Sequence, residues 1–420
     1  MRVVRIGICG WGNVATGMFK AIAENKTVIE AAGVNIDIDC IGARRDNPKC
    51  NPGSVKILRD IFDVPDQDID VVVELIGGVD VARELILKSI RQGKHVITAN
   101  KAVIFHHGDE IFQEAKNHNV KVLFEAAVCA GTPIVKMLQE ELAPNNINKI
   151  SGMLNGTSNF ILSNMEDGNE FDSTLELAQK EGYAEPDPSF DIDGLDAAHK
   201  IGLLASIAYG TSLPPKDFFI EGITEIDKQD FIYADMLGYT IKHLAISKLN
   251  SDSIELRAHP ALIQKSSYLA NLKGVRNGIE VDTDLIGTIH IAGSGAGQES
   301  TASGLISDII HFANSNDNLL DISRKTNTLP IKDFNSFSFQ YYFYIEAQDS
   351  PGVMASITSL LADKDIGIES IVQKDSLEEN LVPIILVTDL FDELKLEKVK
   401  SSILALESVN KLRTIRIESI

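Results

Sequence analysis

An acidic loop precedes a lysine on an apolar helix, and residue types in this order could reduce a carbonyl group. The loop carries Gly182, Glu185 and Asp191, and Asp196 and Lys200 follow on the predicted helix. Asp196 and Lys200 are four residues apart, so they lie on one helix face and can pair. A partly buried ammonium can donate a proton to a carbonyl oxygen that receives a hydride, while carboxylates hold a substrate's ammonium group. The alternative is a surface ion pair worth less than about 1 kcal/mol.

A glycine-rich turn near the start of the chain could bind the pyrophosphate of a dinucleotide. It follows the predicted strand Val3–Cys9 and matches the pattern G-x-G-x-x-G/A, in the order Gly10, Trp11, Gly12, Asn13, Val14 and Ala15. Glycines allow a tight turn and close approach of the backbone, and a helix N-terminus offers N–H groups to phosphate oxygens. A dinucleotide is favoured over a purely structural turn.

The end of the second predicted strand bears on the choice of dinucleotide. An acid there would bind the ribose 2′-hydroxyl of NAD, but this chain has Arg44 and Arg45. Guanidinium groups suit a 2′-phosphate, which favours NADP. A solvated arginine pair is the alternative and leaves NAD open.

Further polar and glycine positions follow the third and fourth predicted strands. Gly77 follows the third strand, and Thr98 and Lys101 follow the fourth. Ligands bind at the carboxyl ends of strands in open α/β sheets, so Lys101 is a candidate for the junction of cofactor and substrate. A surface lysine is the equal alternative.

Length and charge set the broad class of protein. The 420 residues predict two or three domains, and 60 acidic against 39 basic residues give a net charge of −21. This charge argues against nucleic acid or an anionic membrane surface as a partner. No apolar run approaches the roughly 18 residues of a membrane span. Four scattered cysteines predict a reducing cytosol rather than a disulfide framework or a zinc site, and we expect a cytoplasmic protein.

The order of predicted elements indicates an α/β protein with three folded parts and a linker. Strands and helices alternate in residues 1–133, with Lys121–Val128 as the last predicted strand, which predicts a Rossmann domain with a parallel sheet. Residues 134–313 are predicted to form an α+β domain whose last helix packs back on the first domain. Residues 314–336 are a polar linker. Residues 337–420 follow the order β-α-β-β-α-β of a ferredoxin-like domain, whose second strand is predicted at Ile368–Lys374.

Several of these segments together resemble homoserine dehydrogenases over residues 1 to about 312. The resemblance rests on the turn at Gly10–Ala15, on Glu74–Gly78 with Thr98–Lys101, on the Leu-Asn-Gly-Thr-x-Asn run at Leu154–Asn159, and on Gly182–Lys200. It implies NAD(P)-dependent, reversible reduction of L-aspartate 4-semialdehyde to L-homoserine in threonine, isoleucine and methionine biosynthesis.

The resemblance also implies roles for individual residues. Lys200 matches the proton donor and Lys101 a second active-site lysine, while Gly295 matches a loop that closes over the cofactor. Substrate positions are Gly182, Glu185, Thr157, Asp191 and Asp196. A sodium site formed largely by main-chain carbonyls is implied at Glu125, Val128, Ala130 and Thr132.

The C-terminal part resembles an ACT domain, through the turn that contains Asp349, Gly352 and Val353. Asp349 or Ser350 is expected to cap the following helix, with Pro351 at its first position. ACT domains usually pair and bind an amino acid, so threonine feedback on a homodimer or homotetramer is the hypothesis, with a purely dimerising tail as the alternative. Two other functions stay open: a non-catalytic amino-acid sensor, and a semialdehyde dehydrogenase that uses Cys129, for which a small buried residue is preferred.

Overall fold

The computed structural model describes residues 1–211, 218–315, 329–373 and 380–420. The strands in these ranges are β1 (Arg2–Cys9), β2 (Val34–Gly42), β3 (Lys56–Leu58), β4 (Val71–Glu74), β5 (His95–Thr98), β6 (Val122–Leu123), β7 (Ile147–Met153), β8 (Phe219–Ile220), β9 (Tyr239–Leu249), β10 (Ile254–Gln264), β11 (Arg276–Thr283), β12 (Thr288–Ser294), β13 (Ser338–Gln348), β14 (Ile368–Gln373), β15 (Leu381–Thr388), β16 (Phe391–Asp392) and β17 (Val409–Ile417). The α-helices are α1 (Asn13–Glu24), α2 (Lys26–Ala31), α3 (Asp80–Arg91), α4 (Lys101–Asn117), α5 (Glu125–Cys129), α6 (Gly156–Glu166), α7 (Phe171–Lys180), α8 (Ser189–Ile192), α9 (Leu195–Tyr209), α10 (Lys228–Met236), α11 (Gln298–Asn314), α12 (Val353–Ala362) and α13 (Glu393–Leu404).

These elements form two compact units, each built from three stretches of the chain. The first unit draws on residues 1–150, 199–216 and 275–329, and the second on residues 151–198, 217–274 and 330–420. The chain crosses from one unit to the other within β7 and again within α9.

The first unit contains a six-stranded sheet in the order β3-β2-β1-β4-β5-β6. All its strand pairs are parallel. Val71, Val72 and Val73 of β4 are fully buried, as expected for a central strand covered on both faces. The order reverses between β1 and β4, and such a switch point is where dinucleotides bind. The predicted parallel Rossmann sheet is confirmed.

Helix α11 completes the core of this sheet, although it comes almost 300 residues after α1. Leu305 and Ile309 of α11 are fully buried in the same apolar cluster as Ala15 and Met18 of α1. The two helices approach closely because Gly17 has no side chain: a Cβ there would lie 2.4 Å from Cγ of Gln298.

The second unit contains the C-terminal domain, whose four strands lie in the order β17-β13-β15-β14. With α12 and α13 this is the predicted ferredoxin-like arrangement. Its sheet continues that of the preceding domain, because β17 pairs in parallel with β10 through Ala261–Arg416 and Leu262–Ile417. β10 in turn pairs antiparallel with β9 along their full lengths.

Some element predictions are wrong or fall outside the described ranges. Lys121–Val128 was expected to be one strand, but the strand ends at Leu123 and α5 begins at Glu125. Helix α12 begins at Val353, so the predicted cap at Asp349 or Ser350 and the first helical position at Pro351 are wrong. Residues 316–328 of the predicted linker, and Lys374 at the end of a predicted strand, lie outside the described residues. None of the helices described is long and apolar enough to span a membrane.

Candidate active site

The glycine turn has the geometry that a close backbone approach requires. Gly10 adopts a φ of +103°, and a Cβ there would lie 2.6 Å from the carbonyl oxygen of Leu75. Gly12 occupies the N-cap of α1, where a Cβ would meet open space, and Asn13 and Val14 form the first turn of the helix. The turn therefore leaves room in front of the α1 N-terminus, where a pyrophosphate would be stabilised.

The carboxyl ends of β4 and β5 are tied together by a buried acid that was not predicted as a site residue. Glu74 is fully buried and accepts hydrogen bonds from the Thr98 hydroxyl and from the Ile76 amide, the latter at 2.7 Å. Burial raises the pKa of Glu74 to about 7, although these hydrogen bonds act in the opposite direction. The side chain of Asn100 donates to Gly78 O at 2.7 Å and accepts from the Val103 amide, which caps α4. Lys101 follows this cap as the first residue of α4.

The two candidate catalytic lysines lie on helices that pack together within the first unit. His199 of α9 stacks on Phe105 of α4, with ring centroids 4.1 Å apart and an interplanar angle of 12°. Phe105 is four residues after Lys101, on the same face of α4, and His199 directly precedes Lys200. Lys200 is 6% exposed on an apolar helix. The stack thus fixes the lysine-bearing turns of both helices.

The other predicted cofactor residues of this unit are at the same edge of the sheet or close to α1. Arg44 is exposed, two residues after β2, and Gly77 follows β4 at a position where a Cβ would have open space. Gly295 lies between β12 and α11, and a Cβ there would be 2.1 Å from Cγ of the buried Asn277. No side chain larger than hydrogen fits at Gly295 without displacing that loop.

In the second unit, one amide holds two of the predicted substrate carboxylates. Nδ2 of Asn155 donates to Oδ1 of Asp191 at 2.7 Å and to Oδ2 of Asp196 at 2.8 Å. Oδ1 of Asn155 accepts from the Ser158 amide at 2.7 Å and caps α6. Asn155 and Asp196 are both buried. From the sequence, Asn155 is only one residue of the Leu154–Asn159 motif, and its bonds to the two carboxylates were not predicted.

The rest of the acidic loop is more exposed. Thr157 is buried, and its hydroxyl donates to the Tyr183 carbonyl at 2.7 Å, which anchors the start of the loop to α6. Gly182 adopts a φ of +77°, which favours glycine. Glu185 is exposed, and it does not share the Asn155 amide with Asp191 and Asp196 in the hydrogen bonds described.

The segment proposed for sodium begins at Glu125, whose carboxylate binds three main-chain amides. It accepts from the amides of Ile134, Val135 and Lys136 at 2.8 to 2.9 Å. Ala130 adopts a φ of +50°, an uncommon conformation for a residue with a side chain, so the chain reverses sharply between Val128 and Thr132. The Glu125 carboxylate thus organises the segment whose main-chain carbonyls are the expected ligands of a hard cation.

Cys129 lies in the same loop and is fully buried, with Nδ2 of Asn277 3.7 Å from its sulfur. All four cysteines are buried thiols outside any disulfide. The preferred interpretation of Cys129 as a small buried residue agrees with this environment.

In the C-terminal domain, the predicted effector turn is open to a ligand. Gly352 adopts a φ of +97° at the N-cap of α12, with open space where a Cβ would lie, and Val353 starts the helix. The Asp349 amide donates to Asn380 O at 2.8 Å, which fixes the turn to the start of β15.

A parallel sheet of this strand order, a glycine turn before its first helix and a buried lysine beyond paired carboxylates define the class of nicotinamide-dinucleotide-binding oxidoreductases. Comparison with known proteins narrows the class. The family model for the NAD-binding domain of homoserine dehydrogenase matches residues 10–125, that for homoserine dehydrogenase residues 133–310, and that for the ACT domain residues 341–408.

Individual relatives match over nearly the whole chain. A homoserine dehydrogenase of Pseudomonas aeruginosa is 43% identical and covers 100% of both chains. The crystal structure of a homoserine dehydrogenase from Thiobacillus denitrificans is 40% identical, with a TM-score of 0.92 over 99% of this chain and 98% of that one. A hyperthermophilic archaeal homoserine dehydrogenase, solved in complex with NADPH, is 28% identical, with a TM-score of 0.63 over 74% of this chain and 97% of that one. The chain belongs to the homoserine dehydrogenase family and is an oxidoreductase with a C-terminal ACT domain.

Proposed function

We propose that the chain reduces L-aspartate 4-semialdehyde to L-homoserine reversibly, with NADPH as the preferred reductant. One observation carries the proposal: the Asn155 amide holds Asp191 and Asp196 together, and Lys200 is one helical turn beyond Asp196 on α9. A substrate whose ammonium group is bound by these carboxylates would then have its carbonyl group within reach of a lysine.

The chain's residues divide the work between binding and proton transfer. The dinucleotide, when bound, supplies the hydride that the carbonyl carbon accepts. Lys200 gives its proton to the carbonyl oxygen as charge develops there, and Lys101 adds a second positive charge. Gly182, Glu185 and Thr157 line the amino-acid end of the substrate.

The preference for NADP is supported by Arg44, which is exposed just beyond β2, where a 2′-phosphate would lie in this fold. The NADPH complex of the archaeal relative is consistent with it. Gly10, Gly12, Asn13 and Val14 would face the pyrophosphate, and Gly77, Thr98 and Gly295 would surround the nicotinamide half.

The proposed sodium site is the segment Glu125–Thr132, which comprises α5 and the turn after it. The carbonyls of Glu125, Val128, Ala130 and Thr132 are the proposed ligands, and the Glu125 carboxylate, which binds three amides, would hold the segment around the ion. Sodium chloride is expected to raise the melting temperature above that in choline chloride at equal ionic strength. Equal melting temperatures in the two salts would remove sodium from the proposal.

The broader biological assignment follows from the same family. We propose a cytoplasmic enzyme of threonine, isoleucine and methionine biosynthesis that is a homodimer or homotetramer, inhibited by an amino acid such as threonine at the turn of Asp349, Gly352 and Val353. Proposed domains are residues 1–133 for the dinucleotide, 134–313 for catalysis and dimerisation, 314–336 as linker and 337–420 for regulation. Sedimentation of the purified chain distinguishes these oligomers from a monomer.

The test is Lys200→Ala, assayed by the absorbance of reduced nicotinamide with homoserine and NADP. Turnover should fall by about two orders of magnitude or more, because in this direction Lys200 accepts the proton of the homoserine hydroxyl group and that general-base assistance is lost. Affinity for NADPH, measured by fluorescence titration, should stay nearly unchanged. Exposed Lys180→Ala serves as the matched control. Wild-type turnover in Lys200→Ala would refute the assigned role.

A further inference from the structure

A cavity of about 680 Å³ lies within the second unit, where the ACT domain meets the preceding domain. Its walls are the segment Phe218–Ile226, the segment Ile331–Asn335, helix α13 and strand β17. Small-molecule sites in proteins typically have volumes of about 300–1,000 Å³. This cavity is separate from the turn at Asp349–Val353, since none of its lining residues belongs to that turn.

One wall of the cavity presents a rigidly held guanidinium group. Arg416 is 7% exposed, and its Nε donates to Glu393 at 2.9 Å while its Nη1 donates to Glu221 at 2.7 Å. Its Cζ lies 4.5 Å from the ring centroid of Phe219, which stacks on Phe334 at 3.8 Å. Burial and these contacts fix the plane of the Arg416 guanidinium group. A planar guanidinium group held in this way is suited to binding a carboxylate.

The two carboxylates bound to Arg416, those of Glu393 and Glu221, differ in how easily a ligand could displace them. Glu393 is 9% exposed and also accepts from the Tyr341 hydroxyl at 2.6 Å, whereas the Glu221 side chain is 38% exposed. A ligand carboxylate that enters the cavity can therefore replace Glu221 on Nη1 without disturbing Glu393.

Helix α13 adds charges of both signs to the cavity lining. Glu397 and Lys400 lie on the α13 face that lines the cavity, with Nζ and Oε1 2.8 Å apart. Leu396 and Ile226 are buried apolar residues of the same lining. A zwitterion with a small side chain matches this set, because its carboxylate suits Arg416 and Lys400 while its ammonium suits Glu397 or the displaced Glu221.

We propose that this cavity is an effector site for a small α-amino acid, whose carboxylate displaces Glu221 from Arg416. The proposal deepens the amino-acid regulation stated above and rests on it, but it concerns a second site, at the junction of the ACT domain with the preceding domain.

The contacts of the Glu221 segment supply a route from the cavity to the substrate loop. Gly222 packs so closely on that loop that a Cβ would lie 2.4 Å from Ile192 O, and the Ile223 amide donates to the same oxygen at 2.8 Å. Ile192 directly follows Asp191, which binds Asn155. Where the displaced Glu221 carries its main chain with it, these contacts would pass the shift to the segment beside a proposed substrate carboxylate.

The experiment measures binding of L-threonine, L-isoleucine and L-methionine to the full chain by calorimetry, together with initial rates of homoserine oxidation. Lys400→Ala should weaken binding of the amino acid that binds wild type by about tenfold, because a charge-assisted contact is lost. Lys398→Ala, exposed on the same helix, should bind as wild type does, and Asp349→Asn in the ACT turn should keep the part of the binding that depends on Lys400. Glu221→Gln should still bind the amino acid, but inhibition should be at least about tenfold weaker.

The following outcomes would contradict the cavity site, and they distinguish it from the proposed dehydrogenase reaction and from regulation at the ACT turn. Loss of binding in Asp349→Asn with wild-type binding in Lys400→Ala would overturn the cavity site and leave regulation at the ACT turn. Absence of binding by all three amino acids would overturn the cavity site, while dehydrogenase activity would stand. Absence of activity with binding that depends on Lys400 would refute the proposed reaction and support the site.

Discussion

Glu74 shows how a single buried acid organises the proposed cofactor end of the sheet. It lies at the end of a run of valines, and its partners are Thr98, the last residue of β5, and Ile76, in the loop after β4. A carboxyl group in this position ties the end of β5 to the loop after β4 with one side chain. Its raised pKa means that the folded state favours the protonated form.

A pH experiment on Glu74→Gln tests this interpretation. The folded pKa of about 7 lies above the ordinary value of 4.5, so the wild type should lose stability as pH rises from about 4.5 through 7. The loss is on the order of 3 kcal/mol. Glu74→Gln should lack this part of the pH dependence in urea unfolding, whereas exposed Glu84→Gln should keep it. Parallel pH profiles for wild type and Glu74→Gln would contradict the raised pKa.

Arg44 gives the residue-scale prediction for cofactor choice. Arg44→Ala should lower kcat/KM for NADPH by about tenfold or more, because a charge-assisted contact to the 2′-phosphate is lost. The value for NADH, which lacks that phosphate, should change little. Arg59→Ala, which removes a surface pair with Asp46, should affect neither cofactor. An equal loss with both cofactors would count against NADP selection by Arg44.

At the scale of elements, the residue that caps helix α6 also binds the carboxylates of Asp191 and Asp196. Asn155 uses its oxygen to cap the helix and its amide nitrogen to bind two carboxylates, so helix formation and arrangement of the acidic loop depend on one side chain. A substitution can separate the two roles.

The two variants Asn155→Asp and Asn155→Ala test the two roles of Asn155 separately. Asp retains an oxygen for the cap but removes the donor and adds a third negative charge beside Asp191 and Asp196. It should raise KM for homoserine about tenfold or more and leave helix capping intact. Ala should raise KM and also cost about 1 kcal/mol of stability through the lost cap. KM is measured by steady-state kinetics. An unchanged KM in both variants would show that Asp191 and Asp196 bind the substrate without the Asn155 amide.

The elements also show how far sequence reasoning reaches. The parallel strands and the ferredoxin-like order were predictable, because Val-rich runs and helical spacing are local patterns, as in β4 and α12. The run Lys121–Val128 also has strand-like residues, but its second half becomes α5, where Glu125 binds amides 9 to 11 residues further on. Asn155 lies 36 and 41 residues from its acids, so only tertiary structure reveals that contact.

At the scale of the molecule, the ACT domain is joined to the preceding domain by buried charge as well as by shared strands. Nε and Nη2 of Arg257 in β10 donate to Glu418 just after β17, at 2.7 and 3.0 Å, and His259 Nε2 is 3.2 Å from the same carboxylate. Burial alone would raise the pKa of Glu418, but Arg257 and His259 hold it well below its usual value.

Glu418→Gln tests this joint. It should lower the free energy of unfolding by about 3–5 kcal/mol, because the buried Arg257 loses its counter-charge. Since the folded pKa is depressed, the wild-type contribution is present above about pH 4.5 and is lost as pH falls below it, and the variant should lack that loss. Exposed Glu407→Gln is the control. Similar thermal and acid unfolding of Glu418→Gln and wild type would show that the charges contribute little.

The packing of α11 on α1 has a consequence for synthesis on the ribosome. Ala15 and Met18 of α1 share a core with Leu305 and Ile309, so the N-terminal sheet remains uncovered on that side until residues beyond 309 have emerged. At about 5–20 residues per second, that delay is on the order of half a minute. During this interval the nascent chain exposes an apolar surface, and we expect chaperones to bind it until α11 arrives.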